Sequence, residues 1–159
     1  MVKIHIPGDG HTAATFPGFA WNPFSDVKKK KVITDAVFIL EHNVRGMRPC
    51  NNCFTRLPNG RTFDNLLNDN SIFICHFPNA AGQLFGATLG NDITITDFSI
   101  RMGRWTVAAT LVHELAHVNG APGTDHQAEG TLLCCGFSNI HDATIIGAVS
   151  GNQGGTAIA

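Results

Sequence analysis

The stretch Leu111–Gly130, "LVHELAHVNGAPGTDHQAEG", limits this chain more than any other part of it. Val107, Leu111, Leu115 and Val118 recur at helical spacing, and Gly120 followed by Pro122 closes the run. A helix over Arg101–Asn119 is therefore expected. Residues i and i+4 of a helix lie one turn apart on the same face, so His113 and His117 point together. Two imidazoles so placed can reach one zinc ion at ~2.0–2.1 Å. Glu114 is rotated about 100° round the helix. It misses the metal but can accept a proton from a metal-bound water. H-E-x-x-H in this setting points to metal-assisted hydrolysis of an amide, with Zn2+ as the cofactor.

The motif supplies two ligands, and the sequence leaves the third open. After Gly120 the chain turns through "APGTD", which can return His126 to the metal. Glu129 shares a helix face with His126 at i, i+3, and Asp125 is a third candidate, better suited to capping the next helix. If His126 ligates, three neutral imidazoles leave zinc its full charge, and Glu129 can orient a ligand ring or line the cleft.

These residues resemble the aspzincin family of zinc endopeptidases, the deuterolysins and peptidyl-lysine metalloendopeptidases, whose pattern is H-E-x-x-H followed by G-T-x-D-x-x-Y-G. Here "HELAH" is followed by "GTDHQAEG", with Gly123, Thr124 and Gly130 at the family's positions. The family's ligand aspartate falls on His126 and its tyrosine on Glu129. The resemblance implies a compact zincin-like α+β domain with a small β-sheet and an active-site helix. It also implies a secreted or delivered zinc metallopeptidase acting on a protein or peptide substrate. Closely matched residues span only 111–130. The family's tyrosine is implied to stabilise the oxyanion, and this chain contains no tyrosine. His141 is the candidate replacement. Lysine preference in the family rests on acidic residues beyond the ligand turn; none follows Asp142 here, so that preference does not carry over. The alternatives are a zinc-binding recognition domain with little catalysis and a zinc amidase acting on cell-wall peptides.

The rest of the sequence is consistent with a single domain over 1–159. A formal net charge of −1 excludes a basic footprint for nucleic acid, and no run approaches the ~20 apolar residues of a membrane span. The basic run Lys28–Lys31 reads as the solvated edge of a helix capped by Asp26, with Val32, Ala36, Ile39 and Leu40 on its apolar face, ending near Gly46. Residues 1–23 are expected to wrap the surface, 47–70 to be loop, and "SIFICHF" and "NDITITDF" to be strands. Residues 91–98 read either as the strand that pairs with an extended peptide or as an ordinary core strand. Thr124 or Asp125 should cap a helix running to Cys135. "IHDATIIGAV" reads as a last helix, and 150–159 as a loose tail.

Five cysteines, Cys50, Cys53, Cys75, Cys134 and Cys135, fit two disulfides and one buried free thiol better than a four-cysteine zinc site. That suits an extracellular or periplasmic setting, or a delivered effector. No signal peptide is visible at the N-terminus. A monomer is expected.

Overall fold

The computed structural model describes residues 1–137. Its elements run β1 (Lys3–Ile4), α1 (Val27–Ile39), α2 (Arg48–Thr55), α3 (Phe63–Leu67), β2 (Phe73–Phe77), β3 (Gly86–Leu89), β4 (Asp92–Thr96), α4 (Asp97–Met102), α5 (Arg104–Val118) and α6 (Gln127–Cys134). The fold is α+β, as expected. The four strands form one mixed sheet in the order β1-β2-β4-β3. β1 and β4 each run parallel to β2, and β3 runs antiparallel to β4. No described helix is long and apolar enough to cross a membrane.

Helix α1 forms as its sequence dictates. Asp26 accepts a hydrogen bond from the Lys29 amide at 3.0 Å and so caps the first turn. Ile33, Ala36, Ile39 and Leu40 are buried, while Val32 is only half-buried. One π-helical turn, Leu40–Val44, carries the chain to Gly46. Lys28 and Lys31 are exposed on the first turns.

Residues 47–70, expected as loop, instead hold the two short helices α2 and α3. Their apolar residues are few but fully used: Cys50, Phe54, Phe63, Leu66 and Leu67 are buried. Pro49 sits in the first turn of α2, where its missing N–H costs nothing. Thr62 caps α3 by accepting from the Asn65 amide at 3.1 Å. Such brief helices are specified by packing, and their periodicity is too short to show in sequence.

The helix expected over Arg101–Asn119 is divided at Gly103 (φ 104°), with α4 before it and α5 after. Every residue from Thr106 to His117 is buried. A helix buried all round is a core helix. It packs against α1, α6 and the sheet.

The two faces of the sheet are covered differently. Ile74, Ile93 and Ile95 join the main core beneath the helices. On the other face Cys75 packs with Trp21, Ala13, Ala14, Phe16 and Phe19 of the N-terminal segment. The segment 1–23 is thus more than a surface wrap, because it contributes strand β1 and the buried Val2 and Trp21.

Two disulfides, Cys50–Cys135 and Cys53–Cys134, staple α2 to the end of α6, and Cys75 is free and buried, matching the expected count. The expected helix at 140–149 and the tail at 150–159 lie outside the described residues.

Candidate metal centre on the buried helix

His113 and His117 converge as the i, i+4 argument requires, with Nε2 atoms 3.0 Å apart. Two nitrogens bound to one tetrahedral zinc would stand about 3.3 Å apart. The pair therefore fits that ion with only small adjustment.

The tautomer of His117 is set by its surroundings. Its Nδ1 lies 2.7 Å from the carbonyl oxygen of Ala121. A carbonyl can only accept, so Nδ1 carries the proton. In the neutral ring Nε2 then presents a lone pair toward His113. That carbonyl is in reach because the chain reverses at Gly120, whose φ of 91° suits glycine. A Cβ there would also meet Asn59 Oδ1 at 3.0 Å. Asn119 fixes the same corner: its amide donates to the carbonyls of Phe54 and Arg61, both at 2.9 Å, and its Oδ1 accepts from the Arg61 amide.

Glu114 is fully buried. Thr88 of β3 donates to Glu114 Oε2 at 2.6 Å, and Oε1 has no hydrogen-bond partner among the described residues. Burial pushes this carboxyl up to about 8; the Thr88 bond opposes the shift and the charge of Glu129 adds to it. The carboxyl fits because β3 carries glycine at the contact. A Cβ on Gly86 would lie 3.1 Å from Glu114 Oε1 and 2.9 Å from the Thr94 carbonyl oxygen.

The third-ligand candidates separate. His126 is the N-cap of α6 in a left-handed conformation (φ 59°), and its side chain is 64% exposed. Its Nδ1 stands 3.8 Å from Glu129 Oε2. Glu129 is buried at 7% exposure, and burial also raises its carboxyl. The cap expected at Thr124 or Asp125 is not found, since His126 takes the N-cap position and its side chain makes no capping bond; Asp125 instead accepts from the Gln127 amide at 3.3 Å and from its side chain at 2.6 Å. None of the three joins His113 and His117 in a triplet of donors within 4.8 Å of one another among the described residues. His141 lies outside the described residues.

One such triplet does occur among them, at His11, Cys75 and Asp92. The sequence reading missed it because the three residues are far apart along the chain and only the sheet joins them. Thr88 was missed for the same reason. Of the two readings of residues 91–98, the core strand is the one found: β4 (Asp92–Thr96) is interior, hydrogen-bonded on both sides by β2 and β3. The edges are β1 and β3.

Comparison with protein-family models, with curated proteins and with solved structures found no match.

Proposed function

We propose that the chain is a zinc-dependent endopeptidase acting outside the cytosol. The observation that carries this reading is the convergence of His113 and His117, at 3.0 Å, one residue from a fully buried carboxyl. Zinc bound there would supply a polarised water of lowered pKa and a Lewis acid for the scissile carbonyl. His113 and His117 would hold the ion, the latter oriented by the Ala121 carbonyl. Glu114 would accept the proton of the attacking water at its unpartnered Oε1 and pass it to the leaving amine. Thr88 would hold the other carboxylate oxygen still.

For the third ligand, the buried carboxylate of Glu129 is better placed than the outward imidazole of His126. Both remain within reach of mutagenesis, whereas Asp125 is engaged by Gln127. An extended peptide would pair along β3, the edge strand whose Thr88 already touches Glu114. The two disulfides suit an oxidising, extracellular setting. His141 is retained as the oxyanion donor to test.

The burial of Glu114 and its bond to Thr88 also favour a second reading, a zinc-binding recognition domain with little catalysis. The two readings part on one experiment. Zinc content and hydrolysis of an unfolded protein are measured for the wild type and for Glu114→Ala. The peptidase reading expects one bound zinc at this centre in both proteins and activity only in the wild type. Zinc that is lost in His113→Ala, with no activity in either protein, favours the recognition domain. Zinc affinities of Glu129→Ala and His126→Ala then identify the third ligand by the larger loss.

A further inference from the structure

We infer that the outer face of the sheet carries a second, structural site for a thiophilic divalent cation of the zinc type, formed by His11, Cys75 and Asp92. The three donor atoms lie within 4.8 Å of one another, and each comes from a different part of the fold. Cys75 is on β2, Asp92 opens the neighbouring β4, and His11 arrives on the N-terminal segment that crosses this face. The helix carrying His113 packs against the opposite face, so the two centres are separate.

Each ligand is already aimed. The His11 Nε2 stands 2.8 Å from Asp92 Oδ1, and its ring stacks on Phe73 with centroids 3.7 Å apart and planes within 4°. Its backbone amide is tied to Asp9 Oδ1 at 2.8 Å. The Ala14 amide donates to Asp92 Oδ2 at 2.8 Å, which leaves Oδ1 facing the imidazole. Cys75 is fully buried beside them. Donors on one tetrahedral zinc stand about 3.5 Å apart, so small rotamer changes bring all three onto one ion. One sulfur, one imidazole nitrogen and one carboxylate oxygen form a donor set of intermediate softness, suited to Zn2+ and poorly suited to Mg2+ or Ca2+.

The charge balance differs from that of the His113 centre. A thiolate and a carboxylate neutralise a divalent cation, whereas two neutral imidazoles with at most one carboxylate leave it positively charged. A neutralised ion is a weaker Lewis acid and serves as a fastener, here pinning the N-terminal segment to the sheet. Binding exchanges the Cys75 S–H bond for an S–metal bond and releases the proton to solvent.

Cobalt(II) tests this on the full chain after its metal is stripped with a chelator. Cys75 is the one thiol, because the other four cysteines are in disulfides. A near-ultraviolet thiolate-to-cobalt charge-transfer band can therefore arise only here, whatever happens at His113. The expected result is a saturable band in the wild type that is lost in Cys75→Ser. It should be weakened at least about tenfold in cobalt affinity in His11→Ala and in Asp92→Asn, and unaltered in Glu114→Ala. His11 is partly exposed, so His11→Ala gives an answer even if Cys75→Ser fails to fold. The proposal is overturned if the wild type shows no band, or if His11→Ala and Asp92→Asn both bind cobalt through Cys75 as tightly as the wild type. Neither result touches the His113 centre, which is read by zinc-dependent hydrolysis.

Discussion

The two faces of the sheet are held by opposite means. Beneath the helices the contact is largely apolar, with Ile74, Ile93 and Ile95 in one cluster with Leu111 and Leu115, and the buried polar groups lie along α5 from Thr106 to His117 and at Thr88 of β3. On the outer face an extended segment with little secondary structure of its own is held by side chains. Asp92 accepts from Ala14, the Thr94 hydroxyl donates to the Ala20 carbonyl at 2.7 Å, and Asp9 gathers His5, Ile6 and His11. A helix satisfies its own backbone and can offer side chains for chemistry. An irregular segment must borrow partners from its neighbour. The helix face should therefore govern activity, and the outer face should govern stability.

The largest expected effect separates them directly. Glu114→Gln should lower hydrolysis of an unfolded protein about 10²- to 10⁴-fold, the usual worth of a positioned base, with bound zinc and urea midpoint scarcely changed. A loss below tenfold would remove the helix face from the chemistry. Next is the staple between α2 and α6, on the helix side. Cys50→Ser should cost about 2–5 kcal/mol in denaturant unfolding, and zinc retention should fall with it if Glu129 on α6 is a ligand. Unchanged zinc affinity at full occupancy would remove α6 from the centre.

A smaller effect tests the outer face. Thr94→Val leaves the Ala20 carbonyl without its donor and should cost about 1–2 kcal/mol, with kcat/KM unchanged. An equal loss in both quantities would mean that the two faces are coupled. Thr88→Val differs: it leaves the buried Glu114 carboxyl without its donor, so it should cost about 1–3 kcal/mol and also alter kcat several-fold, seen as a change in the pH profile of hydrolysis.

The smallest effect is a pH dependence at Asp97, the first residue of α4. Burial opposes ionisation of this carboxyl, but bonds from His76 at 2.7 Å and Lys29 at 3.0 Å outweigh it and hold it below the usual carboxylate range. A depressed folded value means that its contribution is full above the ordinary carboxylate value and is lost as pH falls through the lower, folded one. The Tm difference between wild type and Asp97→Asn should therefore shrink on acidification. A difference that is constant from neutral to acid pH would show that the ion pair contributes nothing.

Some of this molecule was readable before any coordinates. The cap at Asp26, the strands "SIFICHF" and "NDITITDF", and the reversal at Gly120 are local patterns, and local geometry suffices to predict them. The helices within 47–70 were not readable, because eight- and five-residue helices carry too little periodicity and are stabilised by the core they enter. Strand β3 was missed because "GATL" has no alternation to show; its glycine answers to Glu114 and not to strand propensity.

The sequence by itself determined that His113 and His117 share a helical face with Glu114 offset beside them. That is a consequence of 3.6 residues per turn and needs no other part of the chain. Only the tertiary structure decided which atoms surround that face: Ala121 on His117, Thr88 on Glu114, Glu129 turned inward and His126 outward. It also decided which strand is an edge, and that His11, Cys75 and Asp92 meet. Each of these depends on contacts between segments distant in sequence, which come together only when the whole core packs.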